Sequence, residues 1–504
     1  MPARRSLFYD ALLLTGTNLL LRAVGLIFQA YTASLMGAAG VGLLQLIVTV
    51  GLLAGTVGSS GVRVAAMYLS AQEFGHRRFS GVGSAMTVCL RYGMLVSTFA
   101  GVLLFCFSRT VALLWVQDVR AVLSLQITAL FLPATVLSSV MSGYFTACGK
   151  VRTLVSVQVA ERVFAVGVTL LLLLFRRGDV AWICASILAG SGVAAVFSFA
   201  VLYAMYRQDR RSFGIQKHRR GMTKRLFSLC VPLALGDYMR QGLSCVEQFL
   251  IPYGLAKCAD RAAGMAAYGT VVGMAFPVVM FPAAILWSVA DLLVPELSRC
   301  AARQNKQRIL ILTDRCFRLG SIFAATVAGF LWSAAGLLGT VIYHSAEAGY
   351  YIRILSPMVL FLYLDTVVDG MHKGLGQQVA CVRYNTFTNV LDVIGLYTLL
   401  PRFGVAGYVL TYLVSHLVNF FLSIRRLLAV TDYAPSVRRL AVLLALLSVC
   451  AGICVFLPEP LRGFVFVPLF LLLCCRTRLI RTDDRIWLRD AILLRNEKTR
   501  HLAS

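Results

Sequence analysis

Charged side chains occur inside several long apolar stretches of this sequence. Residues 155–175, VSVQVAERVFAVGVTLLLLLF, contain a run of five leucines, yet they also carry Glu161 directly followed by Arg162. A charge at bilayer depth costs about 2.5–3.5 kcal/mol on insertion scales, so such residues usually face a water-filled interior. The pair therefore predicts either an intramembrane ion pair or a gate residue at the cytoplasmic mouth of a hydrated cavity.

Polar side chains also recur at the i, i+4, i+7 and i+11 spacing that places residues on one helix face. A lone Asn or Ser in such a stripe more often bonds to a neighbouring helix than to a ligand. Arginines can bind phosphate bidentately and carboxylates can bind cations, so charged stripes favour a hydrated cavity. The stripes are Asn18, Arg22, Gly25 and Gln29; Gln45, Thr49, Thr56, Ser59 and Arg63; Asp237, Gln241, Ser244 and Gln248, beside Arg240 and Glu247; Asp365, Asp369 and His372; and Asn385, Asn389 and Asp392.

These residues must be positioned by membrane helices. The chain has 504 residues, of which 59% are hydrophobic and only 14% charged, with a mean hydropathy of +0.78. This composition is far more apolar than that of soluble domains, and apolar runs of span length recur from end to end. An all-α polytopic membrane protein with about fourteen transmembrane helices is predicted, with spans near 12–34, 41–69, 82–107, 121–142, 155–175, 180–206, 226–252, 265–294, 316–343, 352–371, 382–400, 405–424, 440–457 and 461–475.

The net charge of +26 could indicate nucleic-acid binding. Topology explains it better, because an N-terminus inside the cell places most Lys and Arg residues in cytoplasmic segments. Those segments include Arg77 and Arg78, the basic loop 207–225 and the tail 476–504, which reads as an amphipathic helix on anionic lipid. We expect a plasma-membrane protein with both termini cytoplasmic, an uncleaved first span and no nucleic-acid partner.

Catalytic and metal motifs are missing from the sequence. It contains no HExxH, GxxxxGK[ST] or GxSxG pattern, and the fourteen cysteines lack metal-finger spacing. The glycine-rich GAAGVG at 37–42 follows an apolar span, which is typical of a tight external turn rather than a phosphate-binding loop. We therefore expect no enzyme activity and no cofactor, with Na⁺ or H⁺ as the candidate coupling ion.

Landmarks in the two halves of the chain repeat at a nearly constant offset. GYFTACGK and GMHKGLGQ are 227 residues apart, and AGVGLLQLI and AYGTVVGMA are 228 apart. Duplicated halves with six spans each would enter the membrane in the same direction, with a pseudo-two-fold axis along the membrane normal. The predicted organisation is an N-lobe (1–206), a cytoplasmic loop (207–225), a C-lobe (226–428), two further spans (429–475) and the basic tail (476–504).

Several segments of the chain carry recognisable landmarks. They are LLRAVGLIFQAYTASLMGAAGVGLLQLIVTV, SGYFTACGKVRTLVSVQVAERVF, AYGTVVGMAFPVVMFPAAILWSVADLLVPELSR, HKGLGQQ and PRFGVAGYVLTYLV. In order, through most of residues 10–425, they resemble the stage V sporulation protein B family of oligosaccharide flippases. The family belongs to the multidrug/oligosaccharidyl-lipid/polysaccharide exporter superfamily. The resemblance implies two lobes around a V-shaped central cavity, alternating access and a polyprenyl-linked sugar as substrate.

One residue can be compared with the lipid II flippases of that superfamily. Arg22, in LRAVG, matches the cavity arginine of their SRVLG motif, whereas their second arginine is replaced by Phe28 here. The replacement favours a related polyprenyl-pyrophosphate glycan over lipid II. The predicted cavity residues are Asn18, Arg22, Gln29, Gln45, Arg63, Glu161, Arg162, Asp237, Arg240, Gln241, Asp365, Asp369, Asn389 and Asp392.

Three function classes fit these residues. The first is a flippase that moves a polyprenyl-pyrophosphate-linked oligosaccharide or envelope precursor from the cytoplasmic to the outer leaflet. The second is a Na⁺- or H⁺-coupled multidrug exporter. The third is a non-transporting scaffold in envelope or spore-coat synthesis, and envelope-synthesis enzymes are candidate partners. An exporter would use the intramembrane acids, which are Glu161, Asp237, Glu247, Asp291, Asp365, Asp369 and Asp392.

Overall fold

The computed structural model describes residues 3–59, 61–75, 79–175, 179–212, 221–258 and 261–480. All regular secondary structure in these ranges is helical. The first ten helices are α1 (Ala3–Ser59), α2 (Val62–Gly75), α3 (Phe79–Cys106), α4 (Ser108–Val111), α5 (Ala121–Ala147), α6 (Val151–Phe175), α7 (Val180–Ser212), α8 (Met222–Cys258), α9 (Arg261–Tyr268) and α10 (Phe276–Met280).

The remaining helices follow with short connections. They are α11 (Ala283–Ala302), α12 (Lys306–Tyr343), α13 (Ala346–Leu355), α14 (Val359–Gly374), α15 (Gln378–Phe403), α16 (Val405–Thr431), α17 (Val437–Val455) and α18 (Glu459–Arg476). The segments Ala112–Val116 and Gly269–Ala275 are π-helical, and Ser356–Met358 forms a 3₁₀ turn. Arg77, Arg78 and most of the predicted basic tail lie outside the described residues.

Within the described residues, ten helical segments are long and apolar enough to cross a membrane. Their outer faces expose large apolar side chains such as Leu95, Ile27 and Phe175, as expected for surfaces in contact with lipid. The chain is therefore a multi-pass membrane protein. The first segment, Leu19–Phe74, covers most of the predicted span 12–34 and all of 41–69. The helices α8, α15 and α18 coincide with three other predicted spans that are less apolar or more charged. The count of fourteen stays a prediction.

Two glycines interrupt the first 75 residues. Gly37 has φ 70° and ψ 176°, which breaks α1 within the predicted GAAGVG turn. Gly61 has φ 73° and separates α2 from α1. Glycine adopts such positive φ values without the steric cost that a Cβ would bring. The predicted polar stripe from Gln45 to Arg63 is therefore not carried by one continuous helix, because Arg63 follows the break at Gly61.

The chain forms two compact units. The first comprises Met1–Pro277 and Thr386–Ser415. In its core, α5 packs against α2, α3 and α7, and Tyr144 makes edge-to-face contacts with Phe145 and Tyr206. The predicted inter-lobe loop, 207–225, falls inside this unit, and the division into an N-lobe and a C-lobe stays a prediction.

The second unit comprises Val278–Asn385 and His416–Ser504. The long helix α12 packs against α13, α14, α17 and α18, with Phe466 and Phe470 stacked and fully buried beside it. Two side chains cap helix starts: the Asn305 Oδ1 accepts from the Arg308 N–H at 3.0 Å, and the Ser345 Oγ accepts from the Ala348 N–H at 3.2 Å. Such caps satisfy backbone donors that a helix leaves unpaired at its N-terminus.

Candidate functional site

Two predicted glutamines of α1 lie beside the π-helical turn Gly269–Ala275. The Gln29 Nε2 donates to the Gly273 carbonyl oxygen at 2.5 Å. A Cβ placed on Gly273 would lie 3.5 Å from the Cγ of Gln45. π-Helical turns alter the regular backbone ladder and occur frequently at functional sites. The structure therefore brings Gln29 and Gln45 together at one irregular turn, which their sequence spacing did not predict.

The two predicted arginines of the first unit differ in their surroundings. Arg22 is half-buried on α1, seven residues before Gln29 and hence about two turns away on the same face. Arg63 is exposed on α2. The side chain of Asn18 lies outside what the structure describes. Arg22 is therefore the better placed of the two arginines to share a site with Gln29.

The hydroxyl groups of the predicted second stripe bond to their own helix. Thr49 Oγ1 donates to the Gln45 carbonyl at 2.9 Å, Thr56 Oγ1 to the Leu52 carbonyl at 2.8 Å, and Ser59 Oγ to the Gly55 carbonyl at 2.8 Å. These i−4 bonds are the usual way a hydroxyl is satisfied inside a helix. The three hydroxyls thus have local partners and need no ligand to satisfy their donors.

Glu161 and Arg162 do not form the ion pair that was one of the two predictions for them. Glu161 is half-buried on α6 and lies beside Ser198 of α7, whose hydroxyl accepts from Ser138 of α5 at 3.0 Å. Arg162 is exposed. Adjacent residues on a helix point about 100° apart, so the side chains of Glu161 and Arg162 diverge. The oppositely charged pairs found among the described residues do not include these two.

On α8, two predicted cavity residues bind each other. The Arg240 Nη2 lies 3.0 Å from the Asp237 Oδ1, with side chains 73% and 41% exposed. Pairs this exposed contribute little to stability. Gln241 is half-buried beside them. Further along α8, Glu247 and Gln248 are also half-buried, and the Gln248 Oε1 accepts from the hydroxyl of Tyr268 at 2.6 Å.

Glu247 and Asp392 approach each other within the first unit. Each carries a buried carboxylate oxygen, Oε1 of Glu247 and Oδ1 of Asp392, that has no hydrogen-bond partner among the described residues. Ser415 bonds to Asp392, and the stacked rings of Tyr408 and Tyr412, with centroids 5.5 Å apart, lie close to both acids. Two neighbouring buried carboxylates repel each other, so one of them takes up a proton or a cation binds between them. This pair is the strongest candidate for binding a coupling ion.

A second polar cluster joins α14, α15 and α16 within the second unit. The Asn419 Nδ2 donates to the Asp365 Oδ2 at 2.8 Å and to the Asn385 Oδ1 at 3.0 Å. The Cys381 Sγ donates to the Asp369 Oδ1 at 3.1 Å. The second oxygen of Asp365 is buried and has no hydrogen-bond partner among the described residues. Asp365 and Asp369 are therefore held by neighbouring helices.

Two further predicted residues lie near these clusters. His372 is fully buried, with its Nε2 2.9 Å from the Ser423 carbonyl oxygen. Asn389 is half-buried on α15, one turn before Asp392. Within the described chain, no three His, Cys, Asp or Glu side chains group so as to hold a metal ion.

The polar face of α16 was not among the predicted stripes. It carries residues at i, i+4, i+7, i+11 and i+15, which is the spacing that identified the other stripes. Because two of them are tyrosines and the others are small polar residues, they do not stand out in an apolar span. They are Tyr408, Tyr412, Ser415, Asn419 and Ser423.

The fold and these buried polar clusters define an all-helical membrane protein with charged sites inside its helix bundles. The model of the polysaccharide biosynthesis protein family matches residues 7–301, more than half of the chain. The chain belongs to this family.

Curated relatives confirm the resemblance predicted from the sequence. Stage V sporulation protein B of Bacillus subtilis (strain 168) is 22% identical over 466 residues, covering 90% of this chain and 89% of that protein. Sporulation protein YkvU of the same organism is 24% identical over 278 residues, covering 53% of this chain and 61% of that protein.

Solved structures show the fold. The lipid II flippase MurJ in an inward closed conformation aligns with a TM-score of 0.71 at 11% identity, over 94% of this chain and 98% of that one. An inward-facing multidrug resistance MATE family transporter of the MOP superfamily aligns with a TM-score of 0.61 at 14% identity, over 82% of this chain and 96% of that one. The chain therefore has the helical fold of the MOP superfamily.

Proposed function

We propose that this protein is an alternating-access flippase that moves a polyprenyl-pyrophosphate-linked glycan from the cytoplasmic to the outer leaflet of the plasma membrane. The observation that carries the proposal is membership of the polysaccharide biosynthesis protein family on a fold that aligns with a lipid II flippase along 94% of the chain. The similarity to stage V sporulation protein B along 90% of the chain supports a role in envelope or spore synthesis.

The proposed phosphate ligand is Arg22. A guanidinium group stays charged inside a membrane protein and matches two phosphate oxygens at once. Arg22 lies half-buried on the face of α1 that also carries Gln29, whose amide can bond to a sugar hydroxyl after leaving the Gly273 carbonyl. Arg63, exposed on α2, is a proposed second contact for the pyrophosphate.

The proposed membrane arrangement has fourteen spans with both termini cytoplasmic. Its two six-span lobes, 1–206 and 226–428, would be related by a pseudo-two-fold axis along the membrane normal and would face a central cavity. The segment 429–475 would add two spans, and the tail after 476 would lie on the cytoplasmic leaflet, where envelope-synthesis enzymes are the proposed partners.

The proposed coupling site is the Glu247–Asp392 pair. Binding one Na⁺ or H⁺ would cancel one of the two neighbouring negative charges and relieve the repulsion between them, so ion binding would favour the conformation that holds the ion. Two buried acids can also neutralise a cationic drug, and this chemistry supports a cation-coupled multidrug exporter as the second candidate.

Reconstitution into liposomes separates the candidates. With the purified protein, a fluorescent polyprenyl-pyrophosphate glycan in the outer leaflet should become protected from a membrane-impermeant quencher as it crosses. Protein-free liposomes and the Arg22→Ala variant should show only background protection. If a cationic dye crosses the membrane and the glycan does not, the protein is a multidrug exporter. If neither compound crosses, the non-transporting scaffold is favoured.

A further inference from the structure

The π-helical turn Gly269–Ala275 ends two residues before a proline. In a regular α-helix each carbonyl oxygen accepts from the N–H four residues later. For Gly273 that residue is Pro277, which has no N–H. The pairing next to it is already shifted, since the Phe276 N–H donates to the Val271 carbonyl oxygen five residues earlier. The sequence therefore deprives the Gly273 carbonyl of the donor that a regular helix would give it.

A side chain of α1 pairs this carbonyl instead. The Gln29 Nε2 donates to the Gly273 carbonyl oxygen at 2.5 Å, across 244 positions of sequence. A carbonyl group at membrane depth costs free energy when it is left unpaired, so the bond stabilises the irregular turn. Unlike a backbone N–H of the same helix, a side-chain amide can rotate to another partner without unwinding the turn. The Gly273 carbonyl is therefore paired by a group that can leave it.

The backbone of α1 lies directly against the turn at this point. A Cβ on Gly269 would overlap the Ala38 carbonyl oxygen, and a Cβ on Gly273 would overlap the Cγ1 of Val41. These residues and Gln29 all belong to the first compact unit, so the contact does not depend on how the two units are arranged. A group that enters between Gln29 and Gly273 must therefore push α1 away from the turn.

The Gln29–Gly273 pair suits a ligand atom that both accepts and donates. Gln29 is half-buried, so the pair is partly open to a ligand. A hydroxyl can accept from the Gln29 Nε2 and donate to the Gly273 carbonyl oxygen. A phosphate oxygen would accept from Gln29 but leave the carbonyl without a donor, and an ammonium would do the reverse. The Cγ of Gln45 lies 3.5 Å from where a Gly273 Cβ would be, so its amide can reach a second hydroxyl of the same sugar ring.

We infer that Gln29 and the Gly273 carbonyl form a subsite for a sugar hydroxyl, and that the hydroxyl separates α1 from the π-helical turn as it binds. The inference rests on the proposed flippase function and names the part of the glycan that this pair recognises. Two hydrogen bonds through one oxygen span about 4.5–5.5 Å, so the Gln29 Nε2 and the Gly273 oxygen must move about 2–3 Å apart. Binding of the sugar therefore loosens the contact that holds α1 against the turn.

Hydrogen exchange of the full-length protein in detergent measures this contact at the backbone amides of residues 38–45 and 265–275. Polyprenyl pyrophosphate that carries N-acetylglucosamine should raise their exchange rates several-fold, whereas the same lipid without the sugar should not. Gln29→Leu removes the donor, so exchange without ligand should rise about fivefold, the usual effect of losing one hydrogen bond, and the sugar should have no further effect. The matched control, Gln158→Leu, removes another half-buried glutamine, on α6 and outside the contact, and should exchange like the wild type.

Pro277→Ala tests the role of the missing N–H. Its new backbone N–H can pair the Gly273 carbonyl, so the sugar-dependent rise in exchange should fall at least by half. In this background Gln29→Leu should raise exchange less than about twofold, because the two donors replace each other. If Gln29→Leu alone does not fold, the Pro277→Ala result decides. The inference is overturned if Gln29→Leu exchanges like the wild type, if the sugar-free lipid acts equally well, or if Pro277→Ala keeps the full rise.

The comparison without ligand does not depend on transport, so this inference and the proposed function can fail separately. A glycan that crosses liposomes but leaves exchange at 38–45 and 265–275 unchanged overturns this inference alone. A glycan that does not cross overturns the proposed function, and the ligand-free comparison of the wild type with Gln29→Leu still decides whether the bond holds the contact closed.

Discussion

At the scale of single residues, the charged side chains in predicted spans differ in whether the protein itself satisfies them. Asp237 and Arg240 bind each other at the surface, and Arg353 binds Glu459 at 3.0 Å across two helices. Such pairs need no ligand. Glu247 and Asp392 instead keep buried oxygens without hydrogen bonds among the described residues. A buried carboxylate without a hydrogen-bond partner costs free energy unless a proton, a cation or a ligand binds it. This contrast separates the charged residues that pair within the protein from those proposed to bind an ion.

Arg22 should be essential for transport and dispensable for folding. Arg22→Ala removes the proposed phosphate ligand, so glycan crossing should fall at least a hundredfold, while expression and melting temperature stay near those of the wild type. Arg22→Lys should recover only part of the rate, because an ammonium cannot make the bidentate contact. The same assay applies to Arg63→Ala, and Arg109→Ala, at an exposed turn, is the control. Normal transport by Arg22→Ala, or failure of that variant to fold, would exclude the proposed role.

Glu247 should couple transport to an ion gradient at a cost in stability. Glu247→Gln removes one of two adjacent buried charges, so the free energy of unfolding should rise by about 1 kcal/mol and the melting temperature by a few degrees. Glycan crossing by the variant should no longer respond to a Na⁺ or pH gradient. Asp237→Asn, on the same helix but exposed, should change neither quantity. A variant that is less stable and still gradient-driven would show that Glu247 is a structural residue.

The residue types of these sites could be predicted from the sequence, but their partners could not. Helical spacing places Glu247, Asp365 and Asp392 on polar faces. It does not show that Glu247 meets Asp392 or that Asp365 meets Asn419, because the rotation and neighbours of each helix depend on tertiary packing. The same limit explains the failed pairing of Glu161 with Arg162, which are adjacent in sequence but point in different directions.

At the scale of helices, apolar run length predicted where helices form, and backbone irregularities were the main omission. The break at Gly37 lies in a predicted turn, whereas the break at Gly61 falls inside a predicted span. The sequence around Gly269 reads as a regular span but adopts a π-helical turn. Such irregularities follow from close contacts between helices, which composition alone does not indicate.

Gly269 should tolerate no side chain. A Cβ at this position would overlap the Ala38 carbonyl oxygen of α1, and backbone atoms cannot move aside as a flexible side chain can. Gly269→Ala should therefore lower the melting temperature by several degrees or abolish folded protein. Gly242→Ala is the matched control: its Cβ would meet nothing within 4 Å, and replacing a helical glycine with alanine stabilises by about 0.5–1 kcal/mol. Equal stability of the two variants would mean that α1 and the π-helical turn do not pack this closely.

At the scale of the whole molecule, the fold class was readable from the sequence because a membrane protein exposes apolar surface along every span. Residues 7–301 match the family model and most of the chain aligns with MOP superfamily structures, as the resemblance predicted. The predicted spans without a counterpart among the ten apolar segments lie on α8, α15 and α18, and each of these helices carries three or more charged residues. α8 and α15 hold Glu247 and Asp392, so the proposed coupling site itself weakens the hydropathy signal of its helices.

The predicted fourteen-span topology therefore depends on whether α8, α15 and α18 cross the membrane. Reporter domains inserted after residue 220 and at the C-terminus should both be cytoplasmic, because most basic residues flank those positions. Reporters after residues 220 and 260 should lie on opposite sides if α8 crosses, and those at 376 and 404 should do so for α15. A reporter at residue 457 should be external if α18 crosses. The control is the pair at residues 344 and 376, which flank the strongly apolar segment Ala346–Gly374 and must differ in side. If the two reporters that flank α8 or α15 lie on the same side, that helix does not cross the membrane. An external C-terminus would contradict the proposed orientation.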